Sequence, residues 1–237
     1  MSVLASTTAY WYLTRATGAV ALLLATATLA LGVLDLRRWA TPAWPRFVVD
    51  ELHRNLALLT LVFLVGHILT SVLDSFAPIS ITAAVIPFTS SYRPFWLGLG
   101  ALSFDLLVAV TITSLLRRRI GFATWRAVHW LSYAAWPIAL LHGLGTGSDV
   151  KSGWLLTLSI ACLVVVLACV LARVAAGWPG VTPRLRGAAV AGAGGFALFL
   201  VLWLPGGPLG SEWARRSGTP KNLLPKTKRT VQGSERK

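Results

Sequence analysis

Six stretches of roughly 20 apolar residues account for most of the chain, at approximately 11–34, 51–73, 95–116, 127–146, 154–174 and 187–204. A run of that length matches the hydrocarbon thickness of a bilayer, and inside lipid the backbone must satisfy its own N–H and C=O groups, so each run is expected to be a helix. The expected fold class is therefore all-α: a polytopic membrane helix bundle of six transmembrane helices over 1–204, followed by a basic polar tail over 205–237 whose last dozen residues look disordered. Composition agrees, since 55% of the 237 residues are hydrophobic and only 13% charged, far from the balance of a soluble domain. Two runs are weaker than the rest. The fourth contains Pro137, and the sixth, GAAVAGAGGFALFLVLWL, opens with a Gly/Ala-rich half that would let another helix approach closely.

The net charge of +14 would suit a nucleic-acid partner if it were concentrated on a soluble domain. Here the positive residues form short clusters between apolar runs, the pattern of loops facing anionic lipid, so membrane lipid and not nucleic acid is the expected partner. Arg37, Arg38 and Arg46 lie in the first loop, Arg117, Arg118, Arg119 and Arg126 in the third, and Arg173, Arg184 and Arg186 in the fifth, whereas the second and fourth hold only Arg93 and Lys151. The odd loops are thus expected inside and the N-terminus outside. Six spans put the C-terminus outside too, which conflicts with a tail carrying eight Lys/Arg against Glu212 and Glu235; the three concordant loops are followed. Nothing basic precedes Arg15, so the first helix is expected to stay in the mature protein rather than leave as a signal peptide. Cys162 and Cys169, seven residues and about 10 Å apart on one helix, are not placed to bridge. No repeat, phosphate loop or nucleotide fingerprint is present, and no site for NADPH or FAD is expected.

All four histidines fall in two of the six runs, His53 and His67 in the second, His129 and His142 in the fourth. Their separations of 14 and 13 residues correspond to about 21 and about 19.5 Å of helix rise. Because the second and fourth runs cross in the same direction, His53 stands level with His129 near the inside and His67 level with His142 near the outside. Two imidazoles from facing helices can hold one heme iron with no open coordination position, giving an electron carrier, and two such sites at different depths would make a wire through the bilayer. The azimuths match less well: 14 residues return to within about 40° of the starting direction, but 13 miss by about 140°. Pro137, between His129 and His142, is taken as the point where the helix kinks or unwinds to correct this. Hydrogen-bonded core histidines are the alternative for any one position. A four-histidine zinc site is implausible, because the members of each helix pair are four turns apart.

The paired spacing, together with the run TSLLRRRIGFATWRAVHWLSY over 113–133, Pro137 and the closing HGLGTGSD, resembles the ferric reductase-like transmembrane domain family. That family includes the membrane halves of NADPH oxidases and ferric reductases and the heme subunit of the bacterial periplasmic methionine-sulfoxide reductase system, and the resemblance covers roughly residues 10–175. It implies His53 with His129 as ligands of an inner heme b and His67 with His142 as ligands of an outer one. In the family the histidines usually sit on the third and fifth helices, whereas here they are on the second and fourth. The flavin and nicotinamide domain of the larger members has no counterpart in the sequence, so the expected electron donor is a separate flavoprotein reductase or a quinol.

Anionic heme propionates call for Arg near the membrane surface. Arg15 and Arg93 are placed to meet those of the outer heme, and Arg54 and Arg126 stand at the height of the inner one; snorkelling and ordinary positive-inside charge are the plain alternatives. Asp105, the one acid well inside a run, is expected to have a partner or a proton-handling role. Trp11, Trp39, Trp44, Trp96, Trp125 and Trp154 lie at run ends and read as an interfacial belt. The function expected is a diheme b-type cytochrome of the bacterial cytoplasmic membrane. It would be an electron-transfer subunit delivering to ferric iron, a flavin-binding protein, a periplasmic reductase or oxygen. A transporter with a histidine proton relay and a heme-free membrane anchor are the rival classes.

Overall fold

The computed structural model describes residues 2–36, 45–177 and 181–224, and among these every regular element is helical. In chain order the α-helices are α1 (Ser2–Leu36), α2 (Arg46–Leu73), α3 (Ile81–Val85), α4 (Pro94–Leu115), α5 (Arg117–Ile120), α6 (Phe122–His129), α7 (Ser132–Thr146), α8 (Trp154–Ala175), α9 (Pro183–Gly206) and α10 (Trp213–Arg216), with short 3-10 turns at Ser148–Ser152 and Lys221–Leu223. Five of them, α1, α2, α4, α8 and α9, are long and apolar enough to cross a membrane. Their starts are written locally. Pro94 and Pro183 occupy the first turn of α4 and α9, where a missing N–H costs nothing. Thr182 caps α9 by accepting from the Leu185 N–H at 3.4 Å.

The fourth expected span is not one continuous helix. It is divided between α6 and α7 by a tight turn at Trp130 and Leu131. The bonds there are of the i→i+3 kind: the Leu131 N–H donates to Val128 at 2.9 Å, Tyr133 to Trp130 at 3.1 Å and Ala134 to Leu131 at 3.0 Å. His129 thereby loses its regular helical partner, and its carbonyl accepts instead from the Ser132 hydroxyl at 2.8 Å. A serine that competes with the backbone in this way is a local reason for the tightening. Pro137, expected to be the break, lies within α7.

α1 packs most extensively on α2, and α4 on α7; contacts of α1 with α7 and of α2 with α4 join the two pairs, and α8 packs on α1. The buried seam is Trp136, Leu140 and Leu144 of α7 with Val150, Cys162 of α8 and Leu200 of α9, against which Leu22, Ala25 and Leu29 of α1 pack. Two polar clamps cross it. Trp136 Nε1 donates to Thr26 Oγ1 at 2.9 Å, and Ser103 Oγ donates to the Ala135 carbonyl at 3.0 Å.

Arg117, Arg118 and Arg119 lie just beyond the C-terminal end of α4. The segment after α9 folds back to the opposite end, where the Arg93 N–H, at the start of α4, donates to the Gly218 carbonyl at 3.0 Å. The described part of the tail is therefore ordered and sits away from that basic turn. Arg37, Arg38, Trp39, Trp44 and the last dozen residues of the tail lie outside the described residues.

This placement predicts that single cysteines at Arg118 and Glu212, in a background with Cys162 and Cys169 replaced by serine, react with an impermeant thiol reagent from opposite sides of sealed vesicles. Labelling of both from one side would overturn it. Thr26→Val, which removes the acceptor of Trp136 while keeping its shape, should destabilise the bundle by about 0.5–1.5 kcal/mol, measured by denaturation in detergent.

Candidate functional site

In an α-helix each carbonyl is bonded to the N–H four residues on, and the side chain at that later position covers its flank. Glycine there leaves the carbonyl open to a second donor. Three of the four histidines use such an opening. His67 Nδ1 lies 2.7 Å from the Thr14 carbonyl, with Gly18 four residues later. His53 Nδ1 lies 2.9 Å from the Thr28 carbonyl, with Gly32 four later, and His142 Nδ1 lies 2.9 Å from the Trp96 carbonyl, with Gly100 four later. A Cβ added at Gly18, Gly32 or Gly100 would stand 2.9, 3.2 or 2.5 Å from Cε1 of the matching ring. Because a carbonyl can only accept, the proton is assigned to Nδ1 in all three rings. Each Nε2 then keeps its lone pair, the form in which imidazole binds a metal.

The two helices that meet here carry matching repeats. His53 and His67 are 14 apart on α2, and Thr28/Gly32 and Thr14/Gly18 are 14 apart on antiparallel α1. On α4, counting 13 residues onward from Trp96 and Gly100 to reach the level of His129 arrives at Ala109 and Thr113. Thr113 is β-branched where the other sites have glycine, and its hydroxyl already donates to the Ala109 carbonyl at 2.7 Å. Consistently, His129 Nδ1 is buried with no hydrogen-bond partner among the described residues. Its ring instead lies against Trp125, centroids 5.0 Å apart. Trp125 donates through Nε1 to Ser114 Oγ at 3.2 Å and lies 4.4 Å from the Arg117 guanidinium.

The rings form the two facing pairs that the spacing predicts. His53 and His129 have centroids 6.3 Å apart and planes tilted by 55°; His67 and His142 are 6.2 Å apart at 85°. What brings His142 round to His67 is the tight turn after His129. Thirteen α-helical residues fall about 140° short of a whole number of turns, and residues wound at three per turn advance about 20° further each, so overwinding moves His142 in the required direction. The site thus obtains from Trp130–Ala134 at least part of the correction expected of Pro137.

A cavity of about 290 Å³ opens beside the outer pair, lined among others by Trp11, Arg15, Gly18, His67, Gly100 and His142. Arg15 pairs there with Asp149, which also lines the cavity, and stacks on Trp11 at 3.7 Å. Its Nη1 is buried without a hydrogen-bond partner among the described residues. Arg93 does not line this cavity. Its side chain is buried, with Nη1 donating to the Gly145 and Thr146 carbonyls at 3.0 and 3.1 Å and Nε donating to Thr219 Oγ1 at 3.0 Å. Arg93 thus closes the end of α7, whose last carbonyls have no helical donor.

Arg54 is exposed and pairs with Glu51 at 3.0 Å, and Arg126 is exposed beside Phe122. Asp105 lies about 140° round α4 from Gly100, on the face away from the histidines, and makes no hydrogen bond or ion pair among the described residues. Trp96 belongs to an aromatic cluster with Trp203 and Trp213, at 5.0 and 5.1 Å.

Sequence reasoning missed the glycines and their carbonyl partners. The signal was present as the 14-residue separation of Gly18 and Gly32, the same as that of His53 and His67, but it has meaning only once α1 is known to run antiparallel beside α2. Asp149, which lines the cavity, and Trp213, which bonds the end of α7, left no comparable signal, because they come from segments distant in sequence from the helices they meet.

A family profile described as Ferric reductase like transmembrane component matches residues 15–140, which include His53, His67, His129 and most of the helices that carry them. No curated protein and no solved structure matches the chain. The profile takes in more than half of the residues, including three of the four histidines: the chain belongs to the ferric reductase like transmembrane component family.

Proposed function

We propose that this membrane protein is a diheme b-type cytochrome that carries electrons across the bilayer as the membrane subunit of a reductase system. The observation that supports the reading best is the geometry of the pairs. A bond from a first-row metal to an imidazole nitrogen is about 2.0 Å long, so two imidazoles on opposite sides of one ion place their ring centres about 6.3 Å apart. The observed separations are 6.3 and 6.2 Å. Three of the four rings also hold Nδ1–H on a backbone carbonyl, which orients a metal-binding histidine and raises its basicity. Among the described residues no group of three or more His, Cys, Asp or Glu gathers as for a tetrahedral ion; the histidines come in twos, the set that suits a planar macrocycle.

When bound, heme supplies a one-electron iron couple at each pair. His53 with His129, and His67 with His142, would each hold one heme iron through two imidazoles, a ligand set suited to electron transfer and not to binding oxygen or a substrate. Arg15, on the outer cavity wall with an Nη1 donor unpartnered among the described residues, is the residue that would meet a propionate there. The helices keep the pairs about 20 Å apart along the bundle, so each lies toward a different membrane face. The donor in this reading is a separate flavoprotein reductase or a quinol, and the acceptor is ferric iron, a flavin-binding protein or a periplasmic reductase. The setting is the bacterial cytoplasmic membrane.

A pyridine hemochrome assay on the purified chain should give two b-type hemes per polypeptide with a low-spin reduced spectrum. A colourless protein would sink the proposal in favour of a proton relay or an anchor. His67→Ala should remove about one heme and leave the second. The glycines should be graded by how closely their rings approach: Gly100→Ala, where the added carbon meets His142 at 2.5 Å, should cost the outer site tenfold or more in heme retention, and Gly32→Ala, at 3.2 Å from His53, much less. The expected penalty at Gly100 is that of overpacking, about 1–3 kcal/mol. Equal retention in the two variants would show that the rings are not held against the glycines.

A further inference from the structure

The outer and inner histidine pairs are supported differently. The segment after α9 lies outside the stretch matched by the family profile, and it reaches both supports of His142. The first is the end of its own helix. Gly145 and Thr146, in the last turn of α7, have carbonyls without helical donors. Trp213 Nε1 donates to Gly145 at 3.0 Å, beside the bonds from Arg93 Nη1 to Gly145 and Thr146. One turn back, Thr146 Oγ1 donates to the His142 carbonyl at 2.6 Å.

The second support is Trp96, whose carbonyl holds His142 Nδ1. The Trp96 ring packs against both Trp203 and Trp213 and lies so close to α7 that a Cβ on Gly145 would stand 2.2 Å from it.

The segment is itself fastened down. Thr219 Oγ1 accepts from Arg93 Nε at 3.0 Å, the Gly218 carbonyl accepts from the Arg93 N–H at 3.0 Å, and Lys151 Nζ donates to the Gly210 carbonyl at 2.9 Å. Gly218 has φ +87° and lies against Pro94, where a Cβ would stand 3.0 Å from the ring; both the left-handed turn and the close approach need glycine. Trp213 and Ser217 are buried. None of these contacts reaches His53 or His129, which are at the other end of the bundle.

We propose that the segment Gly207–Thr219 is a positioning strap for the outer histidine pair, in which Trp213 and Thr219 fix His142 through the end of α7 and through Trp96. Neither residue touches the site; both act through groups that do. The strap makes the geometry of one pair depend on a part of the chain that the other pair does not use. In its spectroscopic form the inference rests on the diheme reading.

The test uses the full chain in lipid nanodiscs with Trp213→Phe, which keeps an aromatic ring but removes the donor to Gly145, and Thr219→Val, which keeps the shape but removes the acceptor of Arg93. Glu212→Gln, which alters only an exposed ion pair with Arg215, is the control. Low-temperature EPR of the oxidised protein, with the outer signal assigned by its loss in His67→Ala, should show the outer low-spin signal shifted or broadened in the double variant. The inner signal should be unchanged.

Hydrogen exchange, which needs no heme, should quicken at least tenfold at the backbone amides of 142–147 while those of α2 stay as in the parent. Unchanged exchange over 142–147 overturns the strap, and so does an equal change at both EPR signals. Quickened exchange in a protein that binds no heme would uphold the strap and remove the diheme reading alone.

Discussion

The hydrogen bond from an imidazole Nδ1–H to a helix carbonyl bared by glycine is the interaction on which the rest of this structure depends. A histidine on a membrane helix has no water to bond and must find its partners in protein. Here the acceptors that three of the rings use are helix carbonyls, and a carbonyl has a second lone pair to offer if nothing covers it. Gly18, Gly32 and Gly100 remove that cover. The result fixes the tautomer and the tilt of His67, His53 and His142 in one step, and brings α1 against α2 and α4 against α7 closely enough to make them the two most extensive contacts of the bundle. Helix packing and site construction are thus the same event.

His129 shows what happens where this device is absent. Thr113 stands in the place of the glycine and its hydroxyl occupies the carbonyl, and the ring is held by packing on Trp125 instead. The chain also changes its winding immediately after His129, with Ser132 taking the carbonyl that the tight turn releases. The inner pair is therefore built from one anchored and one packed histidine, and the outer pair from two anchored ones. The outer pair further has the cavity, the Arg15–Asp149 ion pair and the C-terminal segment around it.

Much of this was legible before any coordinates. The apolar runs located the five long helices to within a few residues, because length and hydrophobicity are properties of a segment alone. The pairing of His53 with His129 and of His67 with His142 was legible because helix rise converts residue counts directly into height. Azimuth was less legible. It depends on how tightly each turn is wound, and a proline is a more conspicuous mark than a serine, so attention fell on Pro137 when the irregularity lay at Trp130–Ala134. The hydrogen-bond partners of Arg93 were illegible for a related reason. Its height and charge matched a propionate partner, but height does not say which way a side chain turns, and Gly145, Thr146 and Thr219 were nearer acceptors.

By itself the sequence determined a multi-pass helical membrane protein with four histidines at two matched depths, since those follow from composition and from a fixed rise per residue. Only the tertiary structure decided which carbonyl each ring donates to, that the glycines of α1 and α4 are part of the site, and that residues beyond α9 fold back on the outer end. These are contacts between segments tens of residues apart. They follow from the direction in which neighbouring helices run and the face each presents, and no single stretch of the chain carries that information.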